Sequence, residues 1–182
     1  MKSDIHLRPL YTEGEIHKRL IAISQEIAES EADNELLVAG LLTGSFVFIA
    51  DLIRELCRRS LSLHVDFMDV SSYGSGTESS GNIVIGKGLT SSVKGRHVLI
   101  VDDILDTGRT LEFVVEYIED LQPASVATCV FLDKPERRVV EIEADYVGFR
   151  VEDRFIVGYG LDYGSRYREL PYLATVEFES GN

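Results

Sequence analysis

The sequence has few of the residues that mark a secreted, membrane or fibrous protein. Two cysteines and four prolines in 182 residues exclude a disulfide framework and a proline-rich chain. No run approaches the roughly 18 consecutive apolar residues of a membrane span, and the first residues lack the apolar core of an export signal. We therefore expect a cytoplasmic protein with no membrane partner, in which Cys57 and Cys129 are buried, reduced thiols.

Basic residues are also scarce. Lys and Arg together number 18 against 31 Asp and Glu, which gives a formal net charge of −13. A protein that binds nucleic acid across a broad face needs Lys and Arg to neutralise the phosphates. The charge balance excludes that class and predicts no nucleic-acid partner, but a small anion can still bind locally through backbone N–H groups and one or two cations.

The apolar residues are sufficient for a folded core and follow two alternating periodicities. Hydrophobic residues make up 45% of the 182 residues, and this length favours one domain. Apolar steps of three and four predict helices over Glu13–Ala32, Phe46–Cys57 and Leu111–Leu121. Continuous apolar runs predict buried strands over Leu36–Leu42, Val65–Val70, His97–Val101 and Ser125–Leu132. Alternating strands and helices indicate an α/β fold with a mostly parallel central sheet flanked by helices.

One long polar segment interrupts this alternation. Residues 71–82, SSYGSGTESSGN, are dominated by Ser and Gly and predict a loop. A loop of this length in a compact domain is more often functional or mobile than idle.

The densest chemical signal lies where the third predicted strand ends. Asp102 and Asp103 follow the strand directly, and carboxylates crowded at one strand end repel each other unless a cation or polyol lies between them. A turn of small residues at the start of a helix exposes N–H groups beside the positive end of the helix dipole, which suits a phosphate. That turn reads Asp106-Thr107-Gly108-Arg109-Thr110.

The string Val98–Gly108 resembles the phosphoribosyl-pyrophosphate signature of the type I phosphoribosyltransferases. The resemblance implies that the paired acids hold the ribose hydroxyls, directly or through Mg²⁺, and that the turn holds the 5′-phosphate. An acid at the position of Asp106 is found in the 6-oxopurine enzymes, where it accepts a proton from purine N7 or bonds to it. Asp106 is therefore the implied catalytic residue. The implied phosphoribosyl-pyrophosphate ligands in this string are Asp102, Asp103, Asp106, Thr107, Gly108, Arg109 and Thr110.

Further segments, from about residue 35 to 173, resemble the hypoxanthine-guanine phosphoribosyltransferases. Leu42–Phe46 is similar to their pyrophosphate loop, which implies substrate contacts from Gly44 and from Thr43, where the family commonly has Lys or Arg. Arg168 lies at the position of an arginine that contacts pyrophosphate. Ser72 and Tyr73 match the pair on a mobile lid, whose closure excludes water from the reacting centre.

The same resemblance supplies a base-binding set. Lys134, in Leu132-Asp133-Lys134-Pro135, corresponds to the lysine that bonds purine O6. Phe155 corresponds to the residue that stacks on the base, and Ile156 to one whose backbone reads the base edge. Asp162 is the implied ligand of a second Mg²⁺, so the implied metal ligands are Asp102, Asp103 and Asp162.

Taken together, the resemblance implies the type I phosphoribosyltransferase fold and a purine-salvage activity. The expected layout is one domain over residues 1–182, with a core of about 35–150 and a mobile lid of about 71–88. A small hood would combine the N-terminal segment with about 151–182. The implied reaction is Mg²⁺-dependent transfer of the 5-phosphoribosyl group from phosphoribosyl pyrophosphate to N9 of hypoxanthine or guanine. The products are IMP or GMP and pyrophosphate, and the family implies a homodimer or homotetramer.

The sequence leaves two alternatives open. Some proteins of the same fold are nucleotide-sensing regulators that bind RNA, and their signature also contains an acid pair and T-G-R-T. The acidic charge, together with Lys134 and Phe155, favours the enzyme. Within the enzymes, the substrate base could instead be xanthine, adenine or a pyrimidine.

Overall fold

The chain folds into nine strands and three α-helices over the residues described here. The computed structural model describes residues 5–31, 34–73 and 82–178. The strands are β1 (Ile5–Tyr11), β2 (Glu35–Leu42), β3 (Ser62–Tyr73), β4 (Asn82–Lys87), β5 (His97–Leu105), β6 (Ser125–Asp133), β7 (Tyr146–Arg150), β8 (Ile156–Val157) and β9 (Leu173–Phe178). The helices are α1 (Glu13–Ser30), α2 (Phe46–Arg58) and α3 (Arg109–Asp120), and a short 3₁₀ turn spans Pro135–Arg137.

The central sheet has six strands in the order β4-β3-β2-β5-β6-β7. All neighbouring pairs are parallel except β3 and β4, which are antiparallel at one edge. The predicted α/β class with a mostly parallel sheet is confirmed. Because β2 and β5 are adjacent although the chain visits β3 and β4 between them, the strand order reverses here. Open α/β sheets bind ligands at the carboxyl ends of the strands beside such a reversal.

Both faces of the sheet are buried, which explains the continuous apolar runs. In β2, Leu36 and Val38 pack into the core on the side of α1 and α2. Their neighbours Leu37 and Ala39 pack into the core on the side of α3. Strand β5 alternates in the same way, so the molecule has a helix–sheet–helix layering that holds the central strand ends rigidly.

The helices follow the predicted segments, with one error in the buried face of α2. A capping box joins Thr12 and Glu15 at the start of α1. The core-facing residues of α2 include Ile49, Leu52 and Leu56, whereas Cys57 is exposed. The prediction that Cys57 is buried is therefore wrong, because it lies one residue, and about 100° of helix rotation, beyond the buried stripe.

The prediction that the second thiol is buried is confirmed. Cys129 lies in β6 and is completely buried, and this burial raises the pKa of the Cys129 thiol.

Two strands are longer than the sequence pattern predicts. Strand β3 continues through Tyr73, because Ser71 pairs with Val84 of β4. The first three residues of the predicted loop 71–82 are therefore strand, as is its last, while residues 74–81 lie outside the described residues. Strand β5 continues to Leu105, paired with Asp133 of β6. Backbone pairing with a neighbouring strand outweighs the low strand propensity of Ser and Asp in both places.

A second, three-stranded antiparallel sheet has the order β1-β9-β8. It draws its strands from the two terminal parts of the chain, and Val157, Ala174 and Val176 form its small apolar cluster. In the described parts of the chain, no helix is long and apolar enough to cross a membrane.

Candidate active site

A cavity of about 340 Å³ opens at the carboxyl ends of β2 and β5. Its polar floor is built from the end of β5 and the turn into α3, and its opposite wall comes from the residues that follow β2. Eight of the residues predicted from the sequence line it: Thr43, Asp102, Asp103, Asp106, Thr107, Gly108, Arg109 and Thr110.

The paired acids lie at the bottom of this cavity in an environment that disfavours their charge. Burial, followed by the neighbouring charge of Asp103, raises the pKa of Asp102 well above its ordinary value. Burial also raises the pKa of Asp103, although hydrogen bonds and the positive charge of Arg168 oppose the shift. Two carboxylates held in this state favour a cation or a hydroxyl-bearing ligand beside them.

The carboxylates fit a divalent cation that a substrate helps to coordinate. Across the described ranges, no group of three or more His, Cys, Asp or Glu side chains could hold a metal by itself. Mg²⁺ characteristically binds through one or two carboxylates together with substrate phosphates and water. Asp102 and Asp103 supply such a pair of hard oxygen donors.

The turn from β5 into α3 has the geometry of an anion site. Gly108 adopts φ = 90° and caps the helix without a side-chain hydrogen bond. A Cβ at this position would lie 2.7 Å from Val140 and 2.8 Å from Ile142, so the turn requires glycine. The first-turn N–H groups of α3 have no acceptor within the helix and lie at the positive end of its dipole.

The residues after β2 close the other side of the cavity. The peptide bond between Leu42 and Thr43 is cis, and Thr43 lines the cavity with an exposed side chain. A Cβ on Gly44 would overlap the carboxylate of Asp103. Glycine therefore allows this backbone to approach the acid pair closely.

The predicted base-binding residues lie outside this cavity lining. Lys134 is buried, and its Nζ donates to the Arg154 carbonyl at 2.6 Å. Burial lowers the pKa of Lys134, with the charges of nearby acids opposing the shift. Phe155 is 47% exposed and meets Tyr163 edge-on at a ring separation of 5.4 Å. Ile156 is buried in β8.

Asp162 and Arg168 also lie outside the cavity lining, and they pair with each other. Arg168 Nη2 lies 2.8 Å from Asp162 Oδ1, while its Nη1 donates to the Gly160 carbonyl at 2.6 Å. The second oxygen of Asp162 accepts from the Ser165 N–H. Of the predicted lid pair Ser72 and Tyr73, only the backbone is described, and it belongs to β3.

The family follows from a match that spans most of the chain. A family model described as a phosphoribosyl transferase domain matches residues 9–164. The chain belongs to the phosphoribosyltransferase family. This match includes both walls of the cavity and the segment that carries Lys134 and Phe155.

Relatives and solved structures agree with this assignment. The chain is 48% identical over 172 residues to the hypoxanthine-guanine phosphoribosyltransferase of Aquifex aeolicus, covering 94% of this chain and 95% of the relative. It is 43% identical over 178 residues to the hypoxanthine phosphoribosyltransferase of Haemophilus influenzae, covering 96% and 97%. A solved Trypanosoma cruzi hypoxanthine phosphoribosyltransferase superposes with a TM-score of 0.89 at 40% identity, covering 93% of this chain and 91% of that one.

In this phosphoribosyltransferase, the structure adds an arginine that the sequence analysis missed. Arg137 Nε donates to Asp106 Oδ1 at 2.9 Å, and its Nη1 lies 3.5 Å from Asp153 Oδ2. The hydrogen bond and charge of Asp106 raise the pKa of Arg137. Arg137 lies in a short 3₁₀ turn, where no periodicity marks it. In the sequence, only its position shortly after Lys134 and Pro135 indicates that Arg137 lies near the site.

Proposed function

We propose that the protein salvages purines by transferring the 5-phosphoribosyl group of phosphoribosyl pyrophosphate to N9 of hypoxanthine or guanine. The bond from ribose C1′ to pyrophosphate breaks, a bond from C1′ to N9 forms, and the products are IMP or GMP and pyrophosphate. The observation that carries the proposal is the cavity that combines the paired acids Asp102 and Asp103, an anion-binding turn and Asp106. The closely related enzymes from Aquifex and Haemophilus carry the same activity in their names.

The phosphoribosyl group is assigned to the cavity floor. The N–H groups of the turn 106–110 bind the 5′-phosphate, aided by the dipole of α3. The carboxylates of Asp102 and Asp103 take the ribose hydroxyls and a divalent cation, which we assign as Mg²⁺. When bound, this cation neutralises charge on the pyrophosphate leaving group.

The base is assigned to the side of the cavity that faces Lys134. Asp106 accepts the proton from N7, and the Lys134 ammonium stabilises the negative charge that develops on O6. A 6-amino group develops no such charge, so this arrangement favours 6-oxopurines over adenine. The exposed face of Phe155 stacks on the base, and the backbone of Ile156 reads its edge.

The remaining site residues are assigned from the family pattern. Thr43, Gly44 and Arg168 contact pyrophosphate, and Asp162 helps to bind a second Mg²⁺. The Ser72–Tyr73 pair closes over the reacting centre as a lid. Position supports two of these assignments: a Cβ on Gly44 would overlap the carboxylate of Asp103, and the positive charge of Arg168 acts to lower the pKa of Asp103.

The layout and setting of the protein belong to the same proposal. It is one domain over residues 1–182, with a core of about 35–150, a lid of about 71–88 and a hood from the N-terminal segment and about 151–182. It works in the cytoplasm, where its charged substrate and nucleotide product are retained. It assembles as a homodimer or homotetramer.

A spectrophotometric assay tests the proposed reaction. Phosphoribosyl pyrophosphate and Mg²⁺ are supplied with hypoxanthine, guanine, xanthine, adenine or uracil in turn. We expect Mg²⁺-dependent turnover with hypoxanthine and guanine and none with adenine or uracil. Turnover with adenine or uracil alone would overturn the base assignment. If no base reacts although the folded protein binds phosphoribosyl pyrophosphate, and it shifts RNA mobility at physiological salt, the protein is a regulator.

A further inference from the structure

The phosphate-binding turn is held from its outer side by a segment that the proposed mechanism does not use. Arg138 Nη1 donates to the carbonyl of Leu105 at 3.0 Å and also to the carbonyl of Asp106. The next residue, Val139, donates its N–H to the carbonyl of Thr107 at 3.0 Å. Three consecutive carbonyls, that of Leu105 at the end of β5 and those of Asp106 and Thr107 in the turn, are therefore bound by two consecutive residues of one neighbouring segment. The Leu105 carbonyl also accepts from the Lys134 N–H at 2.9 Å.

This pattern determines where the N–H groups of the turn point. The C=O and N–H of a trans peptide unit point in opposite directions, and every peptide bond of this turn is trans. Binding the carbonyls of Leu105, Asp106 and Thr107 on the outer side directs the N–H groups of residues 106–108 to the opposite side. That side is the cavity, to which residues 106–110 all contribute.

Arg138 is itself fixed by a buried partner. Its Nη2 donates to Asp133 Oδ1, and the two side chains are only 15% and 8% exposed. Asp133 ends β6 and pairs in register with Leu105 of β5, so the anchor is part of the central sheet. The planar guanidinium can bind two carbonyls and a carboxylate at once in a fixed geometry, which the single ammonium of lysine cannot reproduce.

We propose that Arg138 is a positioning residue for the phosphoribosyl transfer. It holds the turn in the conformation whose N–H groups accept the 5′-phosphate, before the substrate arrives. The inference rests on the proposed function and deepens it, because it assigns the conformation of the phosphate site to a residue outside the cavity lining. Positioning errors near 1 Å can cost about a hundredfold in rate.

The test substitutes Arg138→Lys and measures KM for phosphoribosyl pyrophosphate, KM for hypoxanthine, and kcat. The substitution keeps the positive charge near Asp133 but removes the planar guanidinium that binds two carbonyls and a carboxylate at once. We expect KM for phosphoribosyl pyrophosphate to rise by about tenfold or more, while KM for hypoxanthine stays within about twofold. A merely structural role would lower the fraction of active enzyme, and hence kcat, without raising the KM of one substrate selectively.

Arg150→Gln is the matched control. Arg150 Nε lies 3.6 Å from the other oxygen of Asp133, but the side chain is 72% exposed, and no hydrogen bond found among the described residues links it to the turn. We expect its kinetic constants to match those of the wild type. If Arg150→Gln raises the KM for phosphoribosyl pyrophosphate as much as Arg138→Lys does, the contacts of Arg138 with the turn do not set this KM, and the positioning role is wrong.

A second variant and a binding measurement keep the inference testable if Arg138→Lys folds poorly. Asp133→Asn retains the shape of the anchor and weakens its hold on Arg138, so it should raise the same KM by a smaller factor. Calorimetric titration with phosphoribosyl pyrophosphate and Mg²⁺, without base, should reproduce the order wild type, Asp133→Asn, Arg138→Lys. Unchanged affinity in both folded variants would overturn the inference, whereas a wild type with no turnover on any base would overturn the proposed function instead.

Discussion

The two halves of the proposed site differ in how completely the fold prepares them. The phosphate half, formed by Asp102, Asp103 and the turn 106–110, lines a single cavity and is held by β5, α3 and Arg138. The base half, formed by Lys134, Phe155 and Ile156, lies outside that cavity lining. Its stacking ring is 47% exposed, and its lysine donates to a backbone carbonyl.

This difference matches the chemistry that we propose for each half. A phosphate and a metal-bound ribose need several donors and acceptors fixed before binding, because reorganising polar groups during the reaction is costly. A flat base needs one apolar face and a few edge contacts, which can be completed when the base arrives. We therefore expect substitutions in the phosphate half to affect turnover or the KM for phosphoribosyl pyrophosphate, and those in the base half to affect mainly the affinity for the base.

The largest expected effect comes from Asp106, the first residue of the turn in the phosphate half and the proposed acceptor of the N7 proton. Asp106→Asn keeps the size of the side chain but cannot accept the N7 proton, so kcat should fall by about a hundred- to ten-thousandfold. Affinity for phosphoribosyl pyrophosphate, measured by calorimetry, should stay close to that of the wild type. Asp120→Asn, at the exposed far end of α3, is the control and should be silent. Near wild-type turnover in Asp106→Asn would show that the proton leaves N7 by another route.

A smaller and more selective effect is expected in the base half. Phe155→Ala removes the stacking face, and stacking of a base on an aromatic ring contributes enough affinity for the KM of hypoxanthine to rise about tenfold. The KM of phosphoribosyl pyrophosphate should not change. Leu121→Ala, which shortens another exposed apolar side chain, serves as the control in the same steady-state assay. An equal rise in both KM values for Phe155→Ala would contradict the division into two halves.

The smallest expected effect is on stability and depends on pH. Because the pKa values of both Asp102 and Asp103 are raised in the folded protein, their contribution to stability is complete below the unfolded value of about 4. It is lost as the pH rises through the raised values. Asp103→Asn removes one of the repelling charges, so without divalent metal it should melt a few degrees above the wild type at pH 7.

Thermal unfolding at several pH values checks this expectation. The difference in Tm between Asp103→Asn and wild type should shrink as the pH falls toward 4, because the raised pKa values of Asp102 and Asp103 favour protonation of both carboxyls. Adding Mg²⁺ should raise the Tm of the wild type more than that of the variant. A variant that is less stable than the wild type at pH 7 without metal would show that the acid pair is not strained by its own charge.

The phosphate half could be predicted from local sequence patterns. Strand β5, the acids and the turn into α3 are consecutive, so periodicity and turn chemistry along one segment predict their geometry. The base half depends on separate segments whose arrangement only the fold determines, and it was predicted from family resemblance. The strand character of Ser71–Tyr73 and the exposure of Cys57 were missed because tertiary pairing and helix phase decide them.

The contacts of Arg137 and Arg138 show where sequence reasoning stops. Both arginines bind Asp106, which is distant in sequence. Arg137 is 31 positions from it and Arg138 is 32 positions from it. Two adjacent arginines after a proline are typical of a solvated turn, and no local rule distinguishes that case from this one. Only the register of β5 against β6 brings them to the phosphate turn.

The most direct test of the two-half account is calorimetric titration of the wild-type protein with each substrate alone. We expect phosphoribosyl pyrophosphate with Mg²⁺ to bind the free protein measurably, because its half of the site is already formed. Hypoxanthine alone should bind with a Kd at least about tenfold higher than that of phosphoribosyl pyrophosphate. If hypoxanthine binds the free protein as tightly as phosphoribosyl pyrophosphate does, the base half is also preformed and the account is wrong.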